Sequence, residues 1–533
     1  MVIRRNGEYG LNYIDFEELI NSDLPYVDKT DYLYSLIKKA PGMFFCARPH
    51  GFGKTLTLYT LEAIFKGKKN LFKGLKIYEK NYDWKEHPVI YLDLGIINAM
   101  DALSLEVQLN ERIFSIADRY GIEIEHSKFC NINLRRLILC LGLNKDVVML
   151  VDEYDKPLIS NIFNPEIERI RGVLRGFFEV IKASTDYIHF AFITGVTKFA
   201  KMSVFSSMNN LTDITMDESF SYLFGYTQDE VELYFSDYIN KGVKTTGLSL
   251  SKYLEKLKNK YDGYSFSPYQ KETIYNPVSI GEFFLKGGKS FENYWSETGG
   301  MKFLMDIAKK VDFDISQDVA RVINRSSITS FDILEVASTD VSLSEYRSLL
   351  FQTGYLTIKK VDEDDENLLY LDFPNEEVAE TYSIQILQQY AGKKAISVFG
   401  ESKIAKFFAD GETERAMELL SSIYASIPYN LSVRADEFFY SSIFFAVLKA
   451  LGAEIGSEIE TNKGRIDAIL NTERHVYVIE FKYDKSAEIA LEQIYSTGYS
   501  EQFISQRDKV IHLLGINFSK EEKNIKDWKE ALL

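Results

Sequence analysis

Residue types that commonly bind phosphate occur together between Arg48 and Thr55, where the sequence RPHGFGKT joins an apolar run to an amphipathic pattern. Backbone N–H groups of such a loop, the Lys54 ammonium and the N-terminus of the following helix would point at one small volume, as the phosphates of a nucleotide require. The Thr55 hydroxyl is suited to Mg²⁺. The segment therefore predicts a strand, a phosphate-binding loop and a helix.

The loop departs from the usual phosphate-binding pattern at its start, because Arg48 stands where that pattern has glycine. Arg48 and Pro49 must then form the first turn, while Gly51 and Gly53 let the backbone approach the phosphates. The residues expected to contact a nucleotide, taken to be ATP, are Arg48, Pro49, His50, Gly51, Phe52, Gly53, Lys54 and Thr55. The alternative is an ordinary strand-to-helix turn that happens to contain Gly-Lys-Thr.

Two carboxylates end the apolar run VVMLVDE farther along the chain. In a nucleotide-hydrolysing sheet the first such carboxylate holds Mg²⁺ and the second deprotonates the attacking water, so we assign Asp152 and Glu153 to these tasks. Thr194, at the end of another apolar run, is predicted to sense the γ-phosphate. The alternative is that acidic residues simply end a buried strand. Candidates for the positive charge that the transition state needs are Arg169, Arg171, Arg175 and Lys198.

A second group of chemically suited residues lies near the end of the chain. The apolar runs Ile466 to Leu470 and Val476 to Phe481, separated by Asn-Thr-Glu-Arg, predict a β-hairpin. Asp467 and Glu480 would then be neighbours, and Lys482 would share their face because a strand has a period of two. Such a set suits Mg²⁺ or Mn²⁺ that activates water. A cross-strand salt bridge is the alternative, although an unpaired Glu480 within an apolar run would be costly.

The elements that must position these residues follow from the alternation of strand and helix patterns. Four apolar strands alternating with helical patterns predict a parallel, three-layer α/β domain of the P-loop type over residues 1–220. Residues 221–400 mix helical stretches with one hairpin and predict a mostly helical or winged-helix-like lid or connector. Residues 401–533 predict an α/β domain that carries the second site.

Composition limits the class of protein. A chain of 533 residues, 46% of them hydrophobic, predicts several folded domains with little disorder. The net charge of −16 argues against an extended positively charged surface that would bind nucleic acid. No apolar run reaches the ~18 residues of a membrane helix and the N-terminus is not a signal peptide, so we expect a soluble, cytoplasmic protein without a membrane partner. The cysteines and histidines lack the spacing of a zinc site.

As a set, the motifs resemble a bacterial and archaeal family in which an AAA-like ATPase domain precedes a PD-(D/E)xK nuclease-superfamily domain. The resemblance covers nearly the whole chain. The motifs that carry it are YVDKT at 26–30, RPHGFGKT at 48–55, DEYDKP at 152–157, NNLTDIT at 209–215, YDGY at 261–264, YNPVS at 275–279, QTGYLTI at 352–358, KGRIDAI at 463–469 and EFK at 480–482, followed by Gln493, Ile494 and Tyr499.

The resemblance implies a restriction-endonuclease-like fold for the last domain and gives its residues roles. Glu437 matches the acidic residue that the family carries on a helix of the nuclease site. Asp467 and Glu480 match its metal ligands, and Lys482 matches its catalytic lysine.

Three functional hypotheses follow. In the first, ATP hydrolysis drives or licenses metal-dependent cleavage of DNA. In the second, the protein is a nucleotide-dependent switch or assembly protein whose nuclease fold binds a protein partner without cleavage, which the acidic net charge favours. The third, a scaffold with two vestigial sites, is disfavoured by the intact Lys54, Thr55, Asp152 and Glu153. The oligomeric state stays open.

Overall fold

The computed structural model describes residues 15–21, 25–144, 146–198, 210–295, 304, 326–329, 343–390, 403–427, 437–451, 453–461, 464–499, 503 and 508–533. Contacts divide the chain into two compact units. The first comprises residues 1–311 and 328–370, and the second comprises residues 312–327 and 371–533. The boundaries at residues 220 and 400 stay predictions.

A five-stranded parallel sheet forms the centre of the first unit, with the strand order β2-β3-β4-β1-β5. Its strands are β1 (Gly42–Ala47), β2 (Val89–Asp93), β3 (Val147–Asp152), β4 (Ile188–Gly195) and β5 (Leu211–Asp213). The helices that precede, connect or follow β1 to β4 are α1 (Phe16–Asn21), α2 (Thr30–Ile37), α3 (Lys54–Phe65), α4 (Ala102–Arg119), α5 (Cys130–Leu141), α6 (Lys156–Ile159) and α7 (Ile167–Ala183).

The burial of these elements explains the patterns seen in the sequence. Every residue of β3 is buried, as expected for a parallel strand that is covered on both faces and therefore reads as a continuous apolar run. Helix α7 instead buries one stripe of side chains, namely Ile167, Ile170, Leu174, Phe177, Phe178 and Ile181, as a helix with one face on a core does. The predicted three-layer α/β fold is confirmed.

An aromatic cluster forms the core of the segment that follows the sheet. The helices of this segment are α8 (Gln228–Tyr234), α9 (Ser236–Thr246), α10 (Leu250–Tyr261) and α11 (Pro277–Leu285). Their buried residues include Tyr253, Tyr261 and Phe283, and Val27 from the start of the chain belongs to the same cluster. The segment 226–294 therefore shares a core with the stretch that precedes the phosphate loop.

The hairpin predicted in the connector is present. It consists of the neighbouring strands β7 (Thr357–Val361) and β8 (Leu368–Asp372), while β6 (Ser326–Thr329) comes before them in the chain. A further helix, Leu343–Gln352, precedes β7.

The second unit contains a five-stranded mixed sheet with the strand order β13-β12-β11-β10-β9. Strands β11 and β12 are parallel and the other pairs are antiparallel. The strands are β9 (Glu454–Thr461), β10 (Gly464–Asn471), β11 (His475–Tyr483), β12 (Val510–Ser519) and β13 (Asn524–Leu532), and the helices are Glu376–Tyr390, Ile404–Ala409, Thr413–Ala425, Glu437–Ala450 and Ala487–Thr497. Strands β10 and β11 form the predicted hairpin.

Among the residues described above, no helix is both long and apolar enough to cross a membrane. The thiols of Cys46, Cys130 and Cys140 are free.

Leu150→Ala is expected to lower the free energy of unfolding of the first unit by about 2–5 kcal/mol, because the truncation leaves a cavity at the centre of β3 that close-packed neighbours cannot fill. Urea unfolding measures the loss. Leu143→Ala is the matched control, since the Leu143 side chain is 82% exposed and its truncation should cost no more than about 0.5 kcal/mol. Equal losses in the two variants would contradict the burial of β3.

Candidate functional site

The predicted phosphate-binding loop connects β1 to α3 and is shaped by two glycines. Gly51 and Gly53 have φ angles of +82° and +85°, in the left-handed region that disfavours residues with a Cβ. Lys54 is the first residue of α3 and is buried. Its ammonium donates hydrogen bonds to the carbonyl oxygens of Arg48 (2.9 Å) and Pro49 (3.0 Å). Burial lowers the pKa of Lys54, an effect that the carboxylates of Asp152 and Glu153 oppose.

The Asp152 carboxylate joins three parts of the first unit at the end of β3. It is almost fully buried. One of its oxygens accepts a hydrogen bond from the Thr55 hydroxyl at 2.6 Å. The other accepts from the Thr194 hydroxyl at 2.6 Å and from the Glu153 N–H at 3.0 Å. The residues predicted for the metal, the water and the γ-phosphate therefore meet at one place, next to the phosphate loop.

Glu153 has an unusual backbone conformation directly after this carboxylate. Its φ angle is +47°, which is uncommon for a residue with a side chain and is often found at functional sites. Burial raises the pKa of the Glu153 carboxyl, Lys54 opposes that shift and Asp152 adds to it. The side chain lines a cavity beside the phosphate loop.

That cavity has a volume of about 250 Å³, somewhat below the ~300–1,000 Å³ of typical ligand pockets. Its polar side is the loop from His50 to Thr55. Its apolar walls come from the start of the chain and from the segment after the sheet, through Tyr26, Val27, Leu223, Phe224, Pro277 and Val278. A loop that suits phosphates thus adjoins walls that suit an aromatic base.

The beginning of the loop differs from the prediction in one respect. The Arg48 side chain is 1% exposed, and one of its guanidinium nitrogens donates to the carbonyl oxygens of Ala47 and Thr215. The guanidinium lies over the Phe266 ring, 4.6 Å from its centre. These contacts anchor the first turn of the loop in the protein interior. In the described part of the chain, Arg48 and Pro49 do not line the cavity. Contact of these two residues with a nucleotide stays a prediction.

His50 does line the cavity. Burial, together with the positive charges of Lys54 and Lys156, lowers the pKa of His50 to about 3. The imidazole is therefore neutral at physiological pH, and the charge that the loop offers to a phosphate comes from Lys54.

Helix α11 holds the loop from outside. The Asn276 side chain donates to the His50 carbonyl oxygen at 3.2 Å, and the Val278 N–H approaches the Gly51 carbonyl oxygen at 3.3 Å. A Cβ on Gly51 would lie 2.9 Å from the Asn276 side-chain oxygen. Gly51 is thus needed both for its φ angle and for this close approach.

In the second unit, the predicted hairpin brings Asp467, Glu480 and Lys482 together. The last pair of the β10/β11 ladder, Ala468 with Ile479, makes Asp467 and Glu480 the next residues opposite each other. The Lys482 ammonium donates to Glu480 at 2.8 Å and to the Phe481 carbonyl oxygen at 2.8 Å. The Asp467 carboxylate accepts the Phe481 N–H at 2.8 Å.

Glu480 is 2% exposed. Burial, with Asp467 as the next cause, raises the pKa of Glu480 to about 7, and Lys482 opposes the shift. Among the described residues, its second carboxylate oxygen is buried without a hydrogen-bond partner. Leaving such an oxygen unsatisfied is costly. The Asp467 side chain lies within hydrogen-bonding reach of Glu480, so a proton shared by the two carboxyls would satisfy it, as a bound cation would.

Glu437 begins the helix Glu437–Ala450 and is partly buried. The described part of the chain contains no group of three or more His, Cys, Asp or Glu side chains that could hold a metal ion. Glu437 therefore does not form a three-carboxylate group with Asp467 and Glu480 in this structure, and its role stays a prediction.

Comparison with known proteins agrees with this geometry. A family model described as "Predicted AAA-ATPase" matches residues 9–205, and one described as "PD-(D/E)XK nuclease superfamily" matches residues 435–528. An "Uncharacterized protein in vnfD 5'region" of Azotobacter chroococcum mcd 1 is 32% identical over 523 residues, which cover 94% of each chain. This chain belongs to the same family as that protein. It joins an AAA-ATPase-like domain to a PD-(D/E)XK nuclease-superfamily domain.

Within the AAA-ATPase-like domain, the structure gives each of the four predicted cations an interaction partner. Arg169 is 3.1 Å from Glu166, Arg171 is 2.9 Å from Glu168 and Lys198 is 2.6 Å from Asp213. None of the four lines the cavity in the described residues. Their role at the transition state stays a prediction.

Two residues of this domain were missed in the sequence. Asp93 ends β2 and pairs in register with Asp152, and Gly95 lies against the Glu153 carboxylate. Burial raises the pKa of Asp93, and Asp152 adds to that effect. The signal in the sequence was YLDLG, in which the apolar run of β2 ends at the Asp93 carboxylate, as the run of β3 ends at that of Asp152, and Gly95 follows two residues later.

Asn276→Ala is expected to lower the free energy of unfolding of the first unit by about 0.5–2 kcal/mol, because the Asn276 oxygen caps α11 by accepting from the N–H groups of Val278 and Ser279. Asn276→Ser is the matched variant. Its neutral hydroxyl can still cap the helix while the amide donor to His50 is lost, so its cost should be smaller. Urea unfolding compares the two, and equal costs would mean that the bond to the loop, and not the cap, dominates.

Proposed function

We propose that the AAA-ATPase-like domain binds ATP with Mg²⁺ and hydrolyses it, and that the nuclease-superfamily domain cleaves DNA with a divalent cation. The observation that carries the first half is the convergence of Thr55, Thr194 and the Glu153 N–H on the Asp152 carboxylate beside Lys54. A chance strand-to-helix turn would have no reason to gather a lysine, two hydroxyls and two carboxylates at one sheet edge.

The residues present fit Mg²⁺. The Thr55 hydroxyl and one Asp152 oxygen are 2.6 Å apart, and both are hard oxygen ligands of the kind that this ion prefers. When bound by these residues, Mg²⁺ supplies positive charge to the phosphates.

The chain's own residues carry the remaining steps. The Lys54 ammonium exchanges the carbonyl oxygens of Arg48 and Pro49 for phosphate oxygens, and the neutral His50 beside it does not compete for them. Glu153 accepts a proton from the attacking water, and burial assists this by raising the pKa of its carboxyl. Thr194, whose hydroxyl is bonded to Asp152, lies where it can register the state of the γ-phosphate.

The apolar walls of the cavity support a complete ATP molecule, with its base as well as its phosphates, as the ligand. Tyr26, Phe224 and Pro277 offer flat apolar surfaces to the base, while the loop takes the phosphates.

In the nuclease-superfamily domain, Asp467 and Glu480 would hold Mg²⁺ or Mn²⁺, and the unsatisfied buried oxygen of Glu480 supports a cation there. When bound, the ion activates water. Lys482, which is 7% exposed, would stabilise the negative charge that develops on the phosphate.

A second function is favoured by the charge of this domain. Residues 431–533 contain 13 Lys and Arg against 17 Asp and Glu, so the domain has no overall attraction for a polyanion. The described carboxylates also do not form a three-ligand group. Both facts suit a nucleotide-dependent switch or assembly protein whose nuclease fold binds a protein partner without cleavage.

Lys54→Ala is expected to abolish ATP binding, because the phosphates lose the only lysine of the loop. Glu153→Gln should keep ATP binding and stop hydrolysis, because the water loses its base while Asp152 is unchanged. Calorimetry measures binding and phosphate release measures hydrolysis. Lys66→Ala, at the other end of α3, is the control and should leave both unchanged. Equal loss of binding in the Lys54 and Glu153 variants would remove Glu153 from its role.

Asp467→Ala is expected to abolish Mn²⁺ binding to the nuclease-superfamily domain, as measured by calorimetry on the full chain at alkaline pH, where both carboxyls are ionised. Lys482→Met should retain Mn²⁺ and lose cleavage, because the lysine acts on the phosphate and not on the ion. Cleavage is measured on single- and double-stranded DNA, with and without ATP. The exposed Lys485→Ala is the control.

The outcomes of this experiment separate the two proposed functions. Metal-dependent cleavage by the wild type that Lys482→Met abolishes supports the nuclease. Binding of neither Mg²⁺ nor Mn²⁺ by the wild type, either alone or with DNA present, contradicts it and leaves the switch as the better account.

A further inference from the structure

The Glu153 carboxylate lies against a residue that has no side chain. A Cβ built on Gly95 would be 2.6 Å from one Glu153 carboxylate oxygen and 3.0 Å from its carboxyl carbon. Contacts below about 3 Å are well inside van der Waals distance. Glu153 can therefore hold its present position only because residue 95 is glycine.

Neighbouring bonds fix Gly95 in place. Its N–H donates to the Asp93 carboxylate at 2.7 Å, and the preceding N–H, of Leu94, donates to the Asp152 carbonyl oxygen at 3.0 Å. The turn after β2 is thus attached to the end of β3, directly before Glu153. A larger residue at position 95 would find the backbone held on one side and the carboxylate on the other.

The glycine is not needed for its backbone conformation. Gly95 is absent from the described residues that have a positive φ angle, so its backbone is open to any residue. Gly51 and Gly53 differ in this respect, because their φ angles alone explain the glycine. At position 95 the requirement arises from the Glu153 side chain, and secondarily from Asp93, whose carboxylate oxygen would be 2.9 Å from the added Cβ.

The backbone of Glu153 also restricts where its carboxylate can lie. Its φ angle of +47° sets the direction in which its side chain leaves the backbone, and the Asp152 carboxylate holds its N–H. A carboxylate displaced from Gly95 would have to move by rotation of its own side chain, which changes its position in the cavity.

We infer that Gly95 is a positioning residue for hydrolysis, whose missing side chain lets the Glu153 carboxylate take the place from which it accepts the proton of water. The inference rests on the proposed role of Glu153. Among the described residues, Gly95 does not line the cavity, so the role concerns the rate of hydrolysis and not the binding of ATP.

Gly95→Ala tests this inference in the full-length protein. ATP binding, measured by calorimetry, should stay within about twofold of the wild type, while the hydrolysis rate at saturating ATP and Mg²⁺ falls at least about tenfold. In a Glu153→Gln background the same change should have no further effect on the residual rate, because the base is already absent. Gly172→Ala is the matched control, since it adds a Cβ on helix α7 with nothing within 4 Å.

Stability gives a second readout that does not depend on activity. Gly95→Ala should lower the unfolding midpoint in urea, and most of that loss should disappear in a Glu153→Ala background, which removes the carboxylate that the new methyl group meets. If the loss is the same in both backgrounds, the contact with Glu153 is not the cause and the inference is wrong.

Failures of the two proposals can be distinguished. If Gly95→Ala hydrolyses ATP at the wild-type rate, or loses ATP binding in proportion to its rate, this inference is overturned while the proposed ATPase stands. If the wild type binds ATP and does not hydrolyse it, the proposed ATPase fails and the inference fails with it.

Discussion

The arrangement of the AAA-ATPase-like domain depends on how one buried carboxylate is satisfied. Asp152 is 1% exposed and accepts hydrogen bonds from α3 through Thr55, from β4 through Thr194 and from the Glu153 N–H. A buried carboxylate without such donors would cost several kcal/mol. The hydrogen bonds from Thr55 and Thr194 therefore connect the helix that follows the phosphate loop to the ends of β3 and β4. The bond from the Glu153 N–H also fixes the backbone of Glu153, whose φ angle is positive.

Much of this domain could be predicted because parallel strands covered on both faces read as apolar runs and their helices as stripes. The contacts between residues far apart in the sequence could not be predicted. Asn276 reaches His50 across 226 residues, and Gly95 meets Glu153 only because the strand order places β2 beside β3. Arg48 was assigned to the nucleotide from its place in the loop, whereas Phe266, far away in the chain, gives its guanidinium a site in the interior.

In the nuclease-superfamily domain, the relative positions of the site residues on the strands could be predicted, whereas that of the residue on the helix could not. A hairpin with a short turn fixes the register of its strands, and the period of two then fixes which side chains share a face. That is why Asp467, Glu480 and Lys482 were placed together correctly. Glu437 lies on a helix, and its relation to the sheet depends on packing that no local pattern encodes.

The charges at this second site restrict how it could act on DNA. When both carboxyls are ionised, Asp467 and Glu480 carry two negative charges against the one positive charge of Lys482, within a domain that has more acidic than basic residues. A phosphate would be repelled unless a cation were bound, since a divalent ion is the largest local charge in such a site. Binding of the cation and of the polyanion must then favour each other by the same factor, because coupling between two ligands is reciprocal. Weak metal affinity in the free protein is therefore compatible with a nuclease, provided that DNA strengthens it. A protein partner without phosphates would give no such mutual strengthening, and this difference in linkage separates the two proposed functions on physical grounds.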